Sequence, residues 1–150
     1  MKIIQGIPQN KISEVLDYSH RYFEHVMDAT NFYQYIRHLA NVNWGESILL
    51  VDDENNIKGV YLFGSNQINY MVDAKDYEDL SGIEGVLLCV DKSLRGQGYG
   101  NQMKEYSKTL GYDYIWGQQF RALGNLNDWL KRRELVGETE YVYITAQKFT

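Results

Sequence analysis

The stretch from Glu84 to Leu110 constrains the fold most, because it reads as a buried strand, a glycine-rich turn and a helix in direct succession. Its apolar run, Val86–Val90, is short and rich in branched residues, which is typical of a buried strand. Three glycines follow within the segment Arg95–Gly100. Beyond them, apolar residues recur at helical spacing. A helix that begins directly after such a turn presents backbone N–H groups without intrahelical partners, and its dipole is positive there, so the turn suits a phosphate.

Glycine spacing separates the known kinds of phosphate-binding loop. The loop of nucleotide triphosphatases requires a lysine after its last glycine, and here Asn101 follows Gly100. The dinucleotide fingerprint G-x-G-x-x-G requires a third glycine where this chain has Asn101 or Met103, depending on the first glycine chosen. Both loops match poorly. A strand-to-helix connector that binds nothing stays an alternative.

The spacing Arg95-x-x-Gly98-x-Gly100, between a strand and a helix, resembles the [QR]-x-x-G-x-[GA] motif of the GNAT superfamily of acyl-CoA-dependent N-acyltransferases. The resemblance implies that the loop holds the pyrophosphate of coenzyme A, through Arg95, Gly96, Gln97, Gly98, Tyr99, Gly100 and Asn101. It also implies that the pantetheine arm of acetyl-CoA follows the preceding strand and an asparagine after the next one, at Leu88, Cys89, Val90 and Asn125.

The order of elements along the chain agrees with that resemblance, which implies an α/β (α+β) fold with a mixed central sheet flanked by helices, as one domain over residues 1–150. The patterns predict strands over 2–7, 46–51, 57–63, 112–119 and 140–149, besides the central one. A further segment, 67–72, is expected to extend the sheet. Asn31 is expected to cap the second helix, and Asn125 or Asn127 a last helix that runs through Leu135.

Composition bounds the class of protein. Hydrophobic residues make up 44% of the chain, which is typical of a globular domain. The net charge of −5 argues against a nucleic-acid binder, which needs a basic surface. A single cysteine fits a reducing compartment, and no apolar run approaches membrane length. We therefore expect a cytoplasmic protein without membrane or nucleic-acid partners.

Amide formation from a thioester needs a group that takes a proton from the amine. Glu84 is the candidate general base, because it precedes Val90 by six residues, where several GNAT histone acetyltransferases carry a catalytic glutamate. Its apolar neighbours are expected to raise its pKa. The usual acid, a tyrosine of the penultimate helix, is replaced by Lys131 or Leu130. Tyr99, Tyr141 and Tyr143 are candidate substitutes for it, with a place in the core or in a pocket wall as the alternative for each. The thiolate leaving into solvent is a further alternative.

Other chemistry-bearing residues are read as structural. Cys89 lies in an apolar run with no adjacent histidine, so we expect a buried small side chain and no nucleophile. His20, His25 and His38 are not spaced to share a helix face, and no Cys/His cluster accompanies them, so no metal site is predicted. His20, Arg21, Tyr22 and His25 are expected on the first helix, where the acceptor pocket of GNAT proteins is often formed.

The resemblance therefore implies an acetyl-CoA-dependent N-acetyltransferase that moves an acetyl group to a primary amine by direct attack in a ternary complex. Acidic residues, Asp73, Asp76, Glu78 and Asp79, favour a cationic acceptor. The resemblance also implies a homodimer through the terminal strands, which residues 141–144 would suit. Two alternatives stay open: a non-catalytic module that binds acyl-CoA but lacks the acid, and an acyltransferase that modifies a macromolecule.

Overall fold

The computed structural model describes residues 1–149, and a seven-stranded sheet organises them. The strands are β1 Lys2–Gln5, β2 Ile48–Val51, β3 Ile57–Gly64, β4 Gly82–Val90, β5 Tyr114–Phe120, β6 Glu134–Glu138 and β7 Val142–Lys148. They lie in the order β1-β2-β3-β4-β5-β7-β6, and all neighbours are antiparallel except β4 and β5, which are parallel. The α-helices are α1 Ile12–His20, α2 Ala29–Gln34, α3 Tyr99–Tyr106 and α4 Leu126–Leu130. The predicted mixed sheet flanked by helices is confirmed.

The two faces of the sheet bury different groups of side chains. Alternate residues of β2, β3 and β4 pack against α1 and α2, and the buried side chains there include Val15, Leu16, Phe32, Leu62 and Cys89. The opposite residues pack toward α3 and α4, and the buried side chains there include Leu50, Tyr61, Ile83, Met103 and Ile115. This alternation is what a strand period of two produces when helices cover both faces.

Residues 67–72 and the cap of α2 differ from the prediction. Residues 67–72 do not extend the sheet: they form a 3-10 turn, Ile68–Tyr70, because the Gln67 side chain satisfies the backbone of Gly82 through two hydrogen bonds of 2.7 and 2.8 Å. Asn31 does not cap α2. Asp28 does, because its carboxylate accepts the Asn31 backbone N–H at 2.8 Å.

The last helix is shorter than predicted, and a strand was missed. The helix α4 ends at Leu130, and the expected continuation through Leu135 is instead the start of β6, where Glu134 is registered with Ala146. The predicted last strand therefore has a neighbour on each edge, β5 on one and β6 on the other. A dimer formed by strand pairing through residues 141–144 is not available, because both edges of β7 are already paired.

No helix within the described residues 1–149 has the length and apolar character that crossing a membrane requires.

Candidate functional site

The site is organised around a fork in the sheet where β4 and β5 separate. Their parallel pairing runs only from Gly82 opposite Tyr114 to Gly85 opposite Gly117. Beyond that point β4 continues to Val90 paired on its β3 side alone, so one backbone edge of the strand is left open. Open strand edges present unpaired N–H and C=O groups that a ligand with amide groups can pair with.

A β-bulge lies at the same point of β4. The register with β3 passes from Leu62 opposite Leu87 to Phe63 opposite Gly85, so Val86 has no partner on that side. A bulge adds one residue to a strand and reverses the side on which later residues point. Glu84 consequently shares a face with Leu87, which packs against α1 and α2.

Between the separated strands is a cleft of about 510 Å³. Its walls come from β4, from the end of β5, from the segment after α1 and from α4, and include Leu88, Cys89, Val90, Arg95, Gln118, Phe120, Asn125 and Trp129. The predicted pantetheine-binding residues therefore lie together along one cleft. Tyr22 and His25 line it too, but they lie beyond the end of α1, contrary to the expectation that they belong to that helix.

The predicted phosphate loop begins at the end of this cleft. Gly98 is the N-cap of α3 with a φ of +87°, and no side chain caps the helix. Within the described residues 1–149, the backbone N–H groups from Gly96 through Asn101 have no hydrogen-bond partner. Gly96, with a φ of +80°, and Gly98 hold a backbone conformation that side chains disfavour, and a Cβ at either would face open space. The geometry is that of an anion site at a helix N-terminus.

Asn125 supplies a polar group inside the cleft. Its Oδ1 atom is buried and has no hydrogen-bond donor among the described residues. A buried acceptor without a donor is costly, so native structures nearly always provide one from a ligand, water or protein. An amide N–H of a pantetheine arm lying along β4 is a donor of the required kind. The residues present thus fit coenzyme A.

Glu84 lies at the fork with its carboxylate almost fully buried, at 1% exposure. Burial raises its pKa from the usual 4.5 to about 7, while hydrogen bonds from Gln118 and Asn66 counteract part of that rise. The Gln118 amide donates to the Glu84 carboxylate at 3.2 Å and lies 3.5 Å from the Tyr35 hydroxyl. The raised pKa agrees with the expectation from the sequence, and a carboxyl group with a pKa near 7 is suited to accept and release protons at neutral pH. Its catalytic role stays a prediction.

A second depression, of about 640 Å³, lies beside α2, and Glu84 lines neither this groove nor the cleft. Tyr35 and Gln118 stand between the groove and the Glu84 carboxylate. Tyr35 connects the two, because it lines this groove and its hydroxyl contacts Gln118. The groove is lined mainly by apolar and aromatic side chains, namely Val26, Met27, Tyr35, Leu39, Phe120, Ala122 and Tyr141, together with Asn31, Gln34, Arg121 and Glu140.

The acidic residues expected near an acceptor lie elsewhere. Asp73 and Glu78 line one separate depression, and Asp76 lines another with Asp73. None of the four residues lines the cleft or the groove beside Tyr35. The reason is that residues 73–79 pack over the outer part of the sheet near β6 and β7, where Tyr77 hydrogen-bonds Glu134. The observation behind a cationic acceptor is therefore wrong.

The other face of the fork holds two side chains that sequence reasoning missed. The Tyr61 hydroxyl lies against Gly85, where an added Cβ would approach it to 2.7 Å. The Arg133 guanidinium lies against Gly117, where an added Cβ would approach Nη1 to 2.8 Å. Arg133 Nη2 donates to the Tyr61 hydroxyl at 3.1 Å. Neither glycine belongs to a sequence motif. Their importance becomes visible only when the register of β4 and β5 is known, because they face each other at the end of that ladder.

Tyr143 is not placed to act as the acid. Its hydroxyl accepts a hydrogen bond from Arg121 at 3.0 Å, and it does not line the cleft. Tyr141 is 70% exposed and lines the groove, and Lys131 pairs with Asp128 at the surface.

Burial raises the pKa of the Cys89 thiol, which agrees with a structural role. Within residues 1–149 there is no cluster of three or more His, Cys, Asp or Glu side chains placed to hold a metal ion.

Several solved structures that are similar to this chain are acetyltransferases. No protein-family model and no curated protein matches the sequence. A GNAT-family acetyltransferase from Listeria monocytogenes is similar in structure, with 16% identity, a TM-score of 0.64 and 98% of this chain and 94% of that chain covered. An aminoglycoside 6'-N-acetyltransferase complexed with coenzyme A has 12% identity, a TM-score of 0.65 and coverage of 100% and 98%. The PaiA N-acetyltransferase from Thermoplasma acidophilum, in complex with coenzyme A, has 8% identity, a TM-score of 0.62 and 99% coverage of both chains.

Proposed function

We propose that this chain, which has the GNAT fold, is an N-acetyltransferase that transfers the acetyl group of acetyl-CoA to a primary amine by direct attack in a ternary complex. The observation that carries this proposal is the open edge of β4, which begins at Val86, two residues after Glu84, and leads toward the unpartnered amides of Gly96–Asn101. Acetyl-CoA laid along that edge reaches an anion site with its pyrophosphate and a buried carboxyl group with its thioester.

In this proposal each part of the cofactor contacts a different element. The pyrophosphate accepts hydrogen bonds from the first turn of α3 and the preceding glycine turn. The pantetheine arm pairs with the backbone of Leu88–Val90 and donates to the Asn125 Oδ1 atom. The acetyl group then lies at the fork, next to Val86. Because Val86 has no strand partner, its backbone N–H can donate to the oxyanion of the tetrahedral intermediate.

Glu84 serves as the general base. An amine that enters through the groove beside Tyr35 meets the thioester on the face of the sheet that carries Glu84 and Gln118. The Glu84 carboxylate takes the amine proton, directly or through a water. Because its pKa is about 7, a large fraction is ionised at neutral pH and its conjugate acid still releases the proton readily. The apolar lining of the groove favours an acceptor with a hydrophobic or aromatic body over a polyamine.

The test begins with binding. Thermal unfolding is followed with acetyl-CoA, coenzyme A, NADH and ATP, since a ligand at 100 times its Kd adds about 2.7 kcal/mol to the free energy of unfolding. We expect stabilisation by the two coenzyme A species. Stabilisation by NADH or ATP alone would overturn the assignment of the loop.

The second step measures coenzyme A release with a panel of amines: phenethylamine, spermidine, an aminoglycoside and a lysine peptide. Glu84→Gln keeps the shape of the side chain and removes the base, so we expect kcat to fall by about 100-fold while acetyl-CoA affinity is unchanged. Binding of acetyl-CoA without release of coenzyme A from any amine would favour a non-catalytic acyl-CoA-binding module. The residue that favours this second candidate is Lys131, because it stands where GNAT proteins carry their acid.

A further inference from the structure

Arg133 is a buried cation without an acidic partner. It is 7% exposed, and among the described residues no carboxylate forms an ion pair with it. Its guanidinium packs on the Trp129 ring at 4.3 Å and lies 3.5 Å from the Thr145 hydroxyl, which donates to Gln119 at 2.7 Å. Buried charges are normally paired, because removing them from water is costly. A buried cation without a permanent partner is suited to stabilise an anion that forms next to it only transiently.

The Tyr61 hydroxyl is the group that Arg133 holds. The side chain is 1% exposed, yet it lines the cleft, at the point where the two strands separate. Its oxygen accepts the hydrogen bond from Arg133, and the structure records no acceptor for its own proton within residues 1–149. A phenol in this arrangement has a proton available to a group that enters the fork.

Two glycines make room for this pair. Gly85 and Gly117 face each other in the last register of the β4–β5 ladder, and a side chain on either would collide with Tyr61 or Arg133. Tyr61 and Arg133 thus occupy one face of the fork, while Glu84 and its hydrogen-bond partner occupy the other. A thioester at the fork lies between a base on one side and a proton donor on the other.

We propose that Tyr61 is the acid of the transfer reaction and that Arg133 is the residue that positions it, an inference that rests on the function proposed above. As the tetrahedral intermediate collapses, its C–S bond breaks and the electron pair passes to sulfur. The Tyr61 hydroxyl transfers its proton to that sulfur, so coenzyme A leaves as a thiol. The resulting tyrosinate is balanced by the Arg133 charge and regains a proton from solvent, while Glu84 releases to solvent the proton it took from the amine.

The electrostatics of the pair agree with this role. Burial raises the pKa of Tyr61, and the neighbouring guanidinium counteracts that rise, so the phenol stays protonated at rest and its anion is stabilised when it forms. This arrangement also supplies the acid that Lys131 does not.

The experiment compares the affinities of coenzyme A and dethio-coenzyme A, in which hydrogen replaces the thiol, by titration calorimetry. A hydrogen bond to sulfur predicts that the wild-type protein binds coenzyme A about fivefold more tightly than the dethio analogue. In Tyr61→Phe the two ligands should bind equally, with the affinity for the dethio analogue unchanged. A wild-type ratio of one, or an undiminished ratio in Tyr61→Phe, overturns the inference, and the wild-type ratio decides the question alone if the variant does not fold.

Tyr114→Phe is the matched control. Tyr114 is also fully buried and also lies across a glycine of β4, Gly82, but its hydroxyl accepts from the Ile68 backbone and is remote from the cleft. We expect this variant to retain the wild-type affinity ratio and kcat.

Turnover separates the acid from a purely structural role. With the best amine of the panel, Tyr61→Phe should lower kcat by about 100-fold and leave KM for acetyl-CoA nearly constant. Arg133→Met should lower kcat in the wild-type background but have little further effect in Tyr61→Phe, since it acts through that hydroxyl. Equal turnover by wild type and Tyr61→Phe overturns this inference and leaves the proposed function standing, whereas a wild-type protein that binds no acetyl-CoA overturns the proposed function itself.

Discussion

The cofactor loop and the fork are both built with glycines, but they use them in opposite ways. Gly96 and Gly98 lie at the surface, have positive φ angles and face open space, so their function is to bend the backbone. Gly85 and Gly117 lie in strands and leave room that other side chains fill. The loop therefore acts through backbone groups of consecutive residues. The fork acts through side chains that the fold brings together from β3, β4, β5 and the segment before β6.

This difference leads to distinct expectations for the two regions. A change at the fork should alter proton chemistry and core packing, because its groups are buried. A change in the loop should alter cofactor affinity and leave the chemistry unaffected, because its groups are exposed N–H donors. The three predictions below test that division, in order of decreasing effect.

The largest effect is expected in the pH dependence of stability, through Glu84. Between pH 4.5 and about 7 the native state keeps the Glu84 proton that the unfolded chain has lost, so the free energy of unfolding should fall as the pH rises. The contribution of this group is about 3 kcal/mol over that window. Denaturant unfolding at pH 4.5, 6 and 8 measures it, and in Glu84→Gln the decline should be smaller by this amount.

The control for that prediction is Glu54→Gln, which changes an exposed glutamate of the β2–β3 turn. It removes the same charge without removing a buried carboxyl group, so its pH dependence should follow that of the wild type. Parallel curves for Glu84→Gln and the wild type would show that the fork does not hold a protonated carboxyl group.

A smaller effect is expected from filling the fork with Gly85→Ala. The added Cβ would lie 2.7 Å from the Tyr61 hydroxyl, and overpacking of this kind costs about 1–3 kcal/mol of the free energy of unfolding. Gly100→Ala is the control, because its Cβ meets only Val90, at 3.9 Å, within a helix where alanine is favoured over glycine by about 1 kcal/mol.

The double variant Tyr61→Phe/Gly85→Ala identifies the contact that carries the cost. Removing the hydroxyl makes room for the new methyl group, so the double variant should be more stable than the sum of the two single changes predicts. Strict additivity of the two changes would mean that Gly85 is required for another reason than the approach of Tyr61.

The loop could be predicted from the sequence and the fork could not, because the loop is local in sequence and the fork is not. The loop, its strand and its helix are consecutive, so motif spacing and periodicity locate them. The mixed sheet is implied by the family resemblance, with which the order of elements agrees. Tyr61 and Arg133 are 72 positions apart in sequence, and nothing local to either residue indicates that they meet. The element β6 was missed for a related reason: helical spacing continues through Leu135, while pairing with β7 decides the structure of residues 134–138.

The smallest effect concerns the loop itself, through Gly98→Val. Valine at a φ of +87° strains the backbone by about 1–2 kcal/mol and disturbs the donors that a pyrophosphate would use. We expect the Kd for acetyl-CoA to rise about tenfold, which corresponds to about 1.4 kcal/mol, while kcat at saturation stays near that of the wild type.

Gly111→Val separates strain from binding, because Gly111 has a φ of +88° and equally open surroundings but follows the helix at its far end. The two variants should lose similar stability in denaturant unfolding, and only Gly98→Val should lose affinity in calorimetry. If both variants bound acetyl-CoA with equal affinity, the loop would be a structural connector, and the site would depend on the fork and the open edge of β4. If Gly98→Val lowered kcat as strongly as Tyr61→Phe, the two regions would act as one unit, and the division between backbone binding and side-chain chemistry would be wrong.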